Sequence, residues 1–421
     1  MTLKTAQELF SPTSVSEFIE KYLEEKVLLL QRESPESVEG LFDLDSLGEC
    51  LGIAQPFHAN TVRIVPKEGG EQTSSLSGLS GREAIGMLIQ AFASGSTLVL
   101  NSSEQYWPPI RDLCADLHAE LACTVRCNIY CTPPHSQGFD THVDGHDVLV
   151  LQTYGTKTWR IHEVIDPLPI EESALSREFH STLKENAPDY GEPTREVVLK
   201  AGDLLYLPRG VPHSAASTDD SSIHFTIGLY PIRTHAFLGD LVDMIAHRDV
   251  RLRQRIAYQS IKGEAPLPSA GDMLREVAAI ADALDDPVDT NQLVKISSEG
   301  DPPMGDLNGA FLSASLFDAI HTNTTVARPR GTTFTSRENA NEIKVFCGAG
   351  SMALPHKLKE VIPFLVEHEE FRIGDISDEL LSDKSKVVLV RNLMKNGLLR
   401  IVDLGETPPM NVQSLQEAFS F

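Results

Sequence analysis

The sequence predicts an α+β protein built around an antiparallel double-stranded β-helix, the jelly-roll barrel. Three patterns along the 421 residues carry this prediction. Residues 123–232 contain short alternating segments separated by Gly and Pro, which is typical of a jelly roll or closed antiparallel barrel. Apolar residues recur at helical spacing before and after that region. The last part, from about residue 340, has the order strand, helix, helix, strand, which is winged-helix-like.

The predicted barrel strands are short and rich in alternating apolar residues. In chain order they lie in TVRCNIYCT, DVLVLQTYG, KTWRIHE, REVVLKAGDLLYLP and SIHFTIGLYP. A polar stretch at residues 163–193 interrupts them, and loops of that length in compact domains are usually functional. We therefore expect a barrel core at about 123–232 with an insert that covers a site.

Helical periodicity defines the regions on either side of the barrel. Before it, SVSEFIEKYLEEKVLLLQR is predicted to form one helix capped by Ser14 or Ser16. After it, residues 234–286 return to helix, with enough apolar positions to support a partner. The predicted domains are 1–233 with the barrel, 234–300 as a helical segment, and 301–421 as a winged-helix-like domain.

The composition restricts the class of partner. Lys and Arg number 36 against 60 Asp and Glu, a formal net charge of −24. This balance disfavours binding along a phosphate backbone and favours a basic protein or peptide. Residues 351–421 hold 8 basic and 11 acidic residues, a net of −3, so direct DNA binding by the last domain is not expected. The sequence shows neither a membrane-spanning apolar run nor a secretion signal, so a cytoplasmic protein without a membrane partner is expected.

The cysteines do not predict a metal site or a disulfide framework. There are six of them in 421 residues, which is few for a disulfide-stabilised fold. Cys123, Cys127 and Cys131 recur every fourth residue, but no CxxC pair accompanies them. We expect reduced cysteines that pack in the core.

The densest chemical pattern lies in QGFDTHVDGHDVLVLQ. His142 and Asp144 are two residues apart, so on an extended strand both side chains project from the same face. The third ligand of a metal bound there is expected from another strand. His213 fits that role, because GDLLYLPRGVPH has the spacing G-x5-P-x-G-x2-H typical of cupin barrels. In that signature Pro208 and Gly210 form a tight corner that directs the following His inward.

Two imidazoles and one carboxylate form the facial triad of non-haem Fe(II) oxygenases, which leaves three positions open. We therefore predict that His142, Asp144 and His213 bind Fe(II). An HxD pair alone arises often by chance. Its combination with the full turn signature about 70 residues later is specific.

The chain resembles the JmjC-type ribosomal oxygenases, the cupin-4 group. The resemblance is carried by NIYCTPPHSQGFDTHVDGHDVLVLQTYGTKTWR at residues 128–160, by GDLLYLPRGVPHSA and by SIHFTIGLYP. It implies 2-oxoglutarate as co-substrate and dioxygen as oxidant. The family's basic residue, fifteen positions after the first ligand His, holds the distal carboxylate, and that position is Lys157 here. Asn128 and Tyr130 match the family's co-substrate strand.

The same resemblance implies a homodimer formed through the helical segment, and hydroxylation of an Arg or His side chain in a ribosomal protein. Such a basic substrate agrees with the negative net charge. Alternatives remain open: a hydroxylase of another peptide or a small metabolite, a cupin that binds zinc or manganese without oxygen chemistry, and a catalytically silent scaffold. Lys157 together with the Asn128 and Tyr130 strand distinguishes an oxygenase from a simple metal-binding cupin.

Overall fold

A computed structural model describes most of the chain. The described residues are 3–54, 61–67, 81–170, 189–284, 318–329, 334–338, 342–347 and 350–406, with single positions at 288, 290, 313 and 316. The chain divides into two compact units. The first comprises Met1–Leu121, Val125–Leu229 and Pro302–Phe421, and the second comprises Ala122–Thr124 and Tyr230–Asp301.

The N-terminal part of the first unit is mainly helical. Its α-helices are α1 (Ala6–Phe10), α2 (Val15–Lys21), α3 (Leu44–Ala54), α4 (Gly81–Ala93) and α5 (Pro108–Leu121), with 3-10 turns at Pro35–Ser37 and Ser103–Gln105. Side-chain caps explain where the first helices begin, since Thr5 and Ser14 each accept a hydrogen bond from a backbone N–H three residues on. The predicted cap at Ser14 is confirmed.

One predicted helix is too long. The helix that begins at Val15 ends at Lys21, and Leu28–Leu30 forms strand β1 rather than a helical face. The chain turns at Glu24, whose φ of 61° is left-handed and whose backbone N–H donates to the hydroxyl of Tyr206. The three leucines then pair antiparallel with a barrel strand. A short apolar run reads equally as helix or strand, and here pairing across the sheet decides.

Two sheets build the barrel. The strands after β1 are β2 (Val62–Val65), β3 (Thr97–Leu100), β4 (Thr124–Thr132), β5 (Asp147–Tyr154), β6 (Thr156–Ile161), β7 (Arg195–Lys200), β8 (Leu204–Leu207), β9 (His213–Ser217) and β10 (Ser222–Tyr230). One sheet has the order β1-β8-β5-β10-β4-β3-β2, and the other has the order β7-β6-β9. The predicted barrel is confirmed, and the segment REVVLKAGDLLYLP forms two strands around a turn at Gly202.

Alternation along the strands determines which side chains enter the barrel. On β6 burial alternates strictly, so Lys157, Trp159 and Ile161 point to the same, buried side. On β4 the cysteines and isoleucine form the fully buried face, and Asn128 and Tyr130 lie on the other face. All six cysteines are free and buried, which confirms the prediction of reduced packing residues.

The turn between β5 and β6 requires glycine. Gly155 has a φ of +62°, and a Cβ placed there would overlap the carbonyl oxygen of Ser221. Gly155→Ala is therefore expected to lower the free energy of unfolding by about 2 kcal/mol or more. Gly86→Ala is the matched control, since Gly86 lies in α4 with no atom within 4 Å of the new Cβ. That change should stabilise by about 0.5–1 kcal/mol. Urea unfolding of both variants checks this, and equal effects would contradict it.

The second unit consists of helices. They are α6 (Thr234–Arg248), α7 (Tyr258–Ile261) and α8 (Ala270–Asp282), with a 3-10 turn at Val250–Arg253. Ile245 and Ile280 are buried, whereas Leu238, Val242 and Leu274 are exposed. The predicted helices at 234–286 are thus present in the described part.

The C-terminal part has its own apolar core of 19 buried residues. Its elements are β11 (Thr325–Ala327), β12 (Thr335–Glu338), β13 (Ile343–Cys347), β14 (Gly350–Leu354), α9 (Ile362–Glu367), β15 (Glu370–Arg372), α10 (Asp383–Lys395) and β16 (Arg400–Asp403), with 3-10 turns at His356–Val361 and Ile373–Asp375. The predicted order strand, helix, helix, strand corresponds to β13, α9, α10 and β16, and the other strands form two small sheets with them.

Two further predictions meet the limits of the described chain. Most of the predicted insert, residues 171–188, lies outside the described residues, so a covering role stays a prediction. Across the residues that the structure does describe, none of the helices combines the length and the apolar character needed to cross a membrane.

Candidate metal centre

The two sequence motifs meet through backbone hydrogen bonds. His142 and His213 form an isolated antiparallel bridge, in which each backbone N–H donates to the other residue's carbonyl at 3.1 and 2.9 Å. The backbone N–H of Gly210 donates to the carbonyl of Asp144 at 3.0 Å. The turn signature therefore holds the HxD segment directly, which explains why a motif so distant in sequence completes the same site.

Gly210 is needed at this corner for a steric reason. Its φ is +87°, and a Cβ would lie 2.5 Å from the carbonyl oxygen of Asp166 and 2.7 Å from the Cδ of Pro169. Real Cβ atoms do not approach backbone oxygen so closely, so a larger residue would displace the corner. Displacement there would move both Asp144 and His213.

Three potential ligand atoms converge at the corner. One donor atom each from His142, Asp144 and His213 lies within 4.8 Å of the others. The Nε2 of His213 is 3.5 Å from Oδ2 of Asp144. His213 is buried, whereas Asp144 is partly exposed, so the cluster faces an opening. The set of two imidazoles and one carboxylate suits a divalent transition metal, Fe(II) among them.

Backbone carbonyls fix the tautomer of both histidines. Nδ1 of His142 lies 2.8 Å from the carbonyl oxygen of Asp140, and Nδ1 of His213 lies 2.9 Å from that of Val211. A carbonyl only accepts, so each Nδ1 carries the proton and each Nε2 keeps its lone pair. Burial, and then the neighbouring His142, lower the pKa of His213 to about 4. Both effects favour the neutral, metal-binding form of its imidazole.

The triad opens into a cavity between the two sheets. Residues from both sheets line it together with the loop before β5: Tyr130, Gly138, Phe139, His142, Asp144, Val148, Lys157, Trp159, His213, Ala215, His224 and Thr226. This mixture of aromatic, apolar and polar residues suits a small organic ligand beside the candidate metal ligands.

Lys157 is a buried lysine with no acidic partner in the described part of the chain. It is 3 % exposed, and its Nζ donates to Oγ1 of Thr132 at 3.1 Å. Over the described residues, no carboxylate lies within 4.0 Å of its Nζ. Burial lowers the pKa of Lys157 to about 7. Because an isolated buried ammonium is unfavourable, the position favours an anionic ligand that would restore its charge.

The two residues of the predicted co-substrate strand differ in position. Tyr130 lines the cavity, with its ring stacked on His224 at a centroid distance of 4.9 Å. Asn128 does not line it. Its Oδ1 accepts a hydrogen bond from the backbone N–H of Ser102, a residue with left-handed φ, at 2.9 Å. Asn128 therefore holds the neighbouring turn. Tyr130, in contrast, lines the same cavity as Lys157.

Sequence reasoning missed several lining residues. Trp159 shares the inward face of β6 with Lys157, and its ring lies 5.8 Å from that of His213. Phe139 contacts His142 edge-on at 5.6 Å. Because side chains alternate between the two faces of a strand, Trp159 could have been predicted to share the inward face with Lys157, two residues before it. Phe139 lies in an irregular segment, where no periodicity indicates the direction of a side chain.

The fold and the donor set together describe a cupin-type barrel with a candidate metal centre of two histidines and one carboxylate. Comparison with known proteins agrees. Residues 104–237 match the family described as JmjC domain. The chain is 30% identical over 245 residues to the Dictyostelium discoideum protein called bifunctional lysine-specific demethylase and histidyl-hydroxylase NO66, covering 58% of this chain and 46% of that protein. It is 32% identical over 241 residues to ribosomal oxygenase 1 of Rattus norvegicus, covering 56% and 38%.

A solved structure extends the comparison of folds. YcfD, a ribosomal oxygenase from Escherichia coli, superposes with a TM-score of 0.52 at 16% identity, covering 93% of this chain and 98% of that one. At this identity the likeness concerns the fold alone. Residues 104–237 thus match the JmjC domain family, and the resemblance to JmjC-type ribosomal oxygenases indicated by the motifs is confirmed. Its matches span less than half the length of the curated relatives.

Proposed function

We propose that the protein is an Fe(II)- and 2-oxoglutarate-dependent oxygenase that hydroxylates a side chain of a basic protein. One observation carries this proposal: a buried lysine, which has no acidic partner among the described residues, lines the same cavity as the His142, Asp144 and His213 triad. A metal-binding cupin without oxygen chemistry does not need that cation. The names of the relatives support the proposal, as does a YcfD structure that contains cobalt and 2-oxoglutarate.

Each residue has a defined role in this proposal. Nε2 of His142, Nε2 of His213 and the carboxylate of Asp144 hold Fe(II), and Lys157 pairs with the distal carboxylate of 2-oxoglutarate. Tyr130 packs beside that co-substrate. Bound iron with 2-oxoglutarate and dioxygen supplies the oxidising power that inserts oxygen into an unreactive C–H bond. The barrel walls exclude water from the site and orient both ligands.

The substrate class follows from charge and from the relatives. We propose an Arg or His side chain of a ribosomal protein. The net charge of −24 favours encounter with a strongly basic protein. Two relatives are named as a histidyl-hydroxylase and a ribosomal oxygenase.

The test incubates the purified protein with Fe(II), 2-oxoglutarate and a mixture of ribosomal proteins, and then searches their peptides by mass spectrometry for a gain of one oxygen atom. We expect the gain on a single Arg or His, and no gain with Asp144→Ala. Succinate formation with a small metabolite or another peptide, but with no ribosomal protein, would refute this substrate class and leave the oxygenase chemistry intact.

Binding of 2-oxoglutarate is expected to take up a proton above neutral pH. Lys157 has a pKa of about 7 in the free protein, because burial disfavours its charge. At pH 8 it is mostly neutral, and pairing with a carboxylate restores the ammonium, so about one proton should enter. At pH 6 the group is already charged and uptake should vanish. Calorimetry in buffers of different ionisation enthalpy measures this, with Lys157→Arg as the always-charged control. Equal proton uptake at both pH values would contradict it.

We also propose that the helical unit mediates homodimerisation. Leu238 and Leu274 are 51% and 66% exposed, on α6 and α8 respectively. Apolar side chains exposed on two helices of one unit suit a partner surface. Light scattering should give a dimer for the wild type and a monomer for Leu238→Glu combined with Leu274→Glu. Ile89→Glu, at an equally exposed position on α4, is the control and should stay dimeric. A monomeric wild type would overturn this proposal.

The C-terminal part is proposed to be a winged-helix-like domain with an architectural role. Its strand, helix, helix, strand order and its own core support this assignment. The acidic balance of residues 351–421 argues against contact with DNA.

A further inference from the structure

A buried imidazole outside the triad faces the cavity. His224 on β10 is 2 % exposed and lines the cavity with Lys157 and His213. Its Nδ1 is enclosed and has no hydrogen-bond partner in the described part of the chain. An enclosed polar atom left unpaired destabilises the fold. A ligand that supplied the missing hydrogen bond would remove that cost.

Two aromatic rings hold His224 in one orientation. The Tyr130 ring stacks on it with an interplanar angle of 12°, and the Trp159 ring meets it edge-on at 84° and 5.4 Å. These contacts fix the plane of the imidazole. Packing therefore fixes the orientation of the imidazole in the free protein. A side chain that is already fixed loses little conformational entropy when a ligand binds.

The surroundings also fix the charge of His224. Burial first, and then the neighbouring Lys157 and His213, lower the pKa of His224 well below its usual value. A neutral imidazole offers one N–H donor and one lone pair. His224 and Lys157 line the same cavity, in which the ammonium of Lys157 would receive a carboxylate.

We propose that His224 is a positioning residue whose Nδ1–H donates a hydrogen bond to the co-substrate carboxylate that Lys157 binds. This inference rests on the proposed function. The ammonium supplies attraction without direction, and the imidazole adds a directed bond. Together they fix the distal end of the dicarboxylate, so that its other end meets the metal in one orientation.

The test uses Mn(II)-loaded protein under anaerobic conditions and titrates it with 2-oxoglutarate by calorimetry. His224→Phe keeps the ring and removes the hydrogen bond, and His224→Asn keeps a donor. Phe225→Leu is the matched control, because Phe225 is the next residue on β10 and packs in the core against Phe42 instead. Mn(II) affinity and thermal unfolding are measured for every variant.

We expect His224→Phe to weaken 2-oxoglutarate binding about 10- to 100-fold, as loss of a hydrogen bond to a charged group does. Its Mn(II) affinity should stay at the wild-type value, and His224→Asn should recover part of the loss. In turnover, KM for 2-oxoglutarate should rise more than kcat falls. Phe225→Leu should lower the unfolding temperature without weakening 2-oxoglutarate binding.

Three results would overturn the assignment. The first is wild-type affinity for 2-oxoglutarate in His224→Phe. The second is a loss of 2-oxoglutarate affinity in His224→Phe that is accompanied by weaker Mn(II) binding, or an equal loss of 2-oxoglutarate affinity in Phe225→Leu. The third is equal weakening in His224→Phe and His224→Asn. If the wild type binds Mn(II) but no 2-oxoglutarate, the proposed function itself fails, which is distinct from failure of His224 alone.

Discussion

Asp144→Ala is expected to abolish 2-oxoglutarate turnover and to remove tight binding of Fe(II). The side chain supplies the only carboxylate of the described triad. Loss of a group that merely supports a metal ligand costs about 10- to 100-fold, so loss of a ligand should cost about 100-fold or more in metal affinity. His142→Ala should behave alike. Succinate release with labelled 2-oxoglutarate measures turnover, and calorimetry with Mn(II) measures affinity.

The fold should survive this substitution. Asp144 holds the corner at Gly210 through its backbone carbonyl, and alanine retains that carbonyl. Asp219→Ala is a suitable control, because Asp219 is an exposed carboxylate of the same barrel outside the triad. Undiminished succinate production by Asp144→Ala or His142→Ala would refute the assignment of the metal ligands.

Lys157→Met is expected to weaken 2-oxoglutarate binding about 100-fold while leaving Mn(II) binding intact. Methionine keeps most of the aliphatic volume and removes the charge that we propose to pair with the distal carboxylate. Removing one partner of a buried charged pair costs about 3–5 kcal/mol. The expected loss of binding energy is smaller here, because Lys157 already has a hydrogen bond to Thr132 before the ligand binds. Calorimetry of Mn(II)-loaded protein gives both affinities, and retained 2-oxoglutarate affinity would exclude Lys157 from the site.

The same variant should be more stable than the wild type without ligand. Burial lowers the pKa of Lys157 from its usual value of 10.5 to about 7 in the folded protein, so the unfolded chain binds more protons between these pH values. Wild-type stability therefore rises with pH from about 7 toward 10.5. The advantage of Lys157→Met should be largest below pH 7 and shrink above it. Urea unfolding at pH 6.5 and pH 9 tests this, and a constant difference would contradict it.

The candidate metal ligands were predictable because each of the two motifs that carry them is local. The two-residue spacing of His142 and Asp144 places both side chains on one face, and the turn signature determines the position of His213. Lys157 came from a fixed spacing in a resembling family. Each of these signals is written in fewer than twenty consecutive residues.

The rest depends on contacts between distant segments. Leu28–Leu30 has no local property that separates a strand from a helix, and only pairing with β8 decides. The unpaired Nδ1 of His224 is a consequence of how Tyr130 and Trp159 enclose it, and these residues lie on three different strands. Burial of Lys157 likewise follows from closure of the barrel. Sequence patterns indicate which side chains share a face of one strand, but they do not indicate which strands come together to enclose a cavity.

The most direct test of the central claim is an anaerobic titration of the wild-type protein with Fe(II) and then 2-oxoglutarate, followed by visible absorption. The claim is that one cavity binds the metal through His142, Asp144 and His213 and the co-substrate through Lys157. A weak charge-transfer band should therefore develop when both ligands are present, with one Fe(II) per chain, and Lys157→Met should need far more 2-oxoglutarate to produce it. Bound metal without that band at any 2-oxoglutarate concentration would contradict the claim and favour a metal-binding cupin without oxygen chemistry.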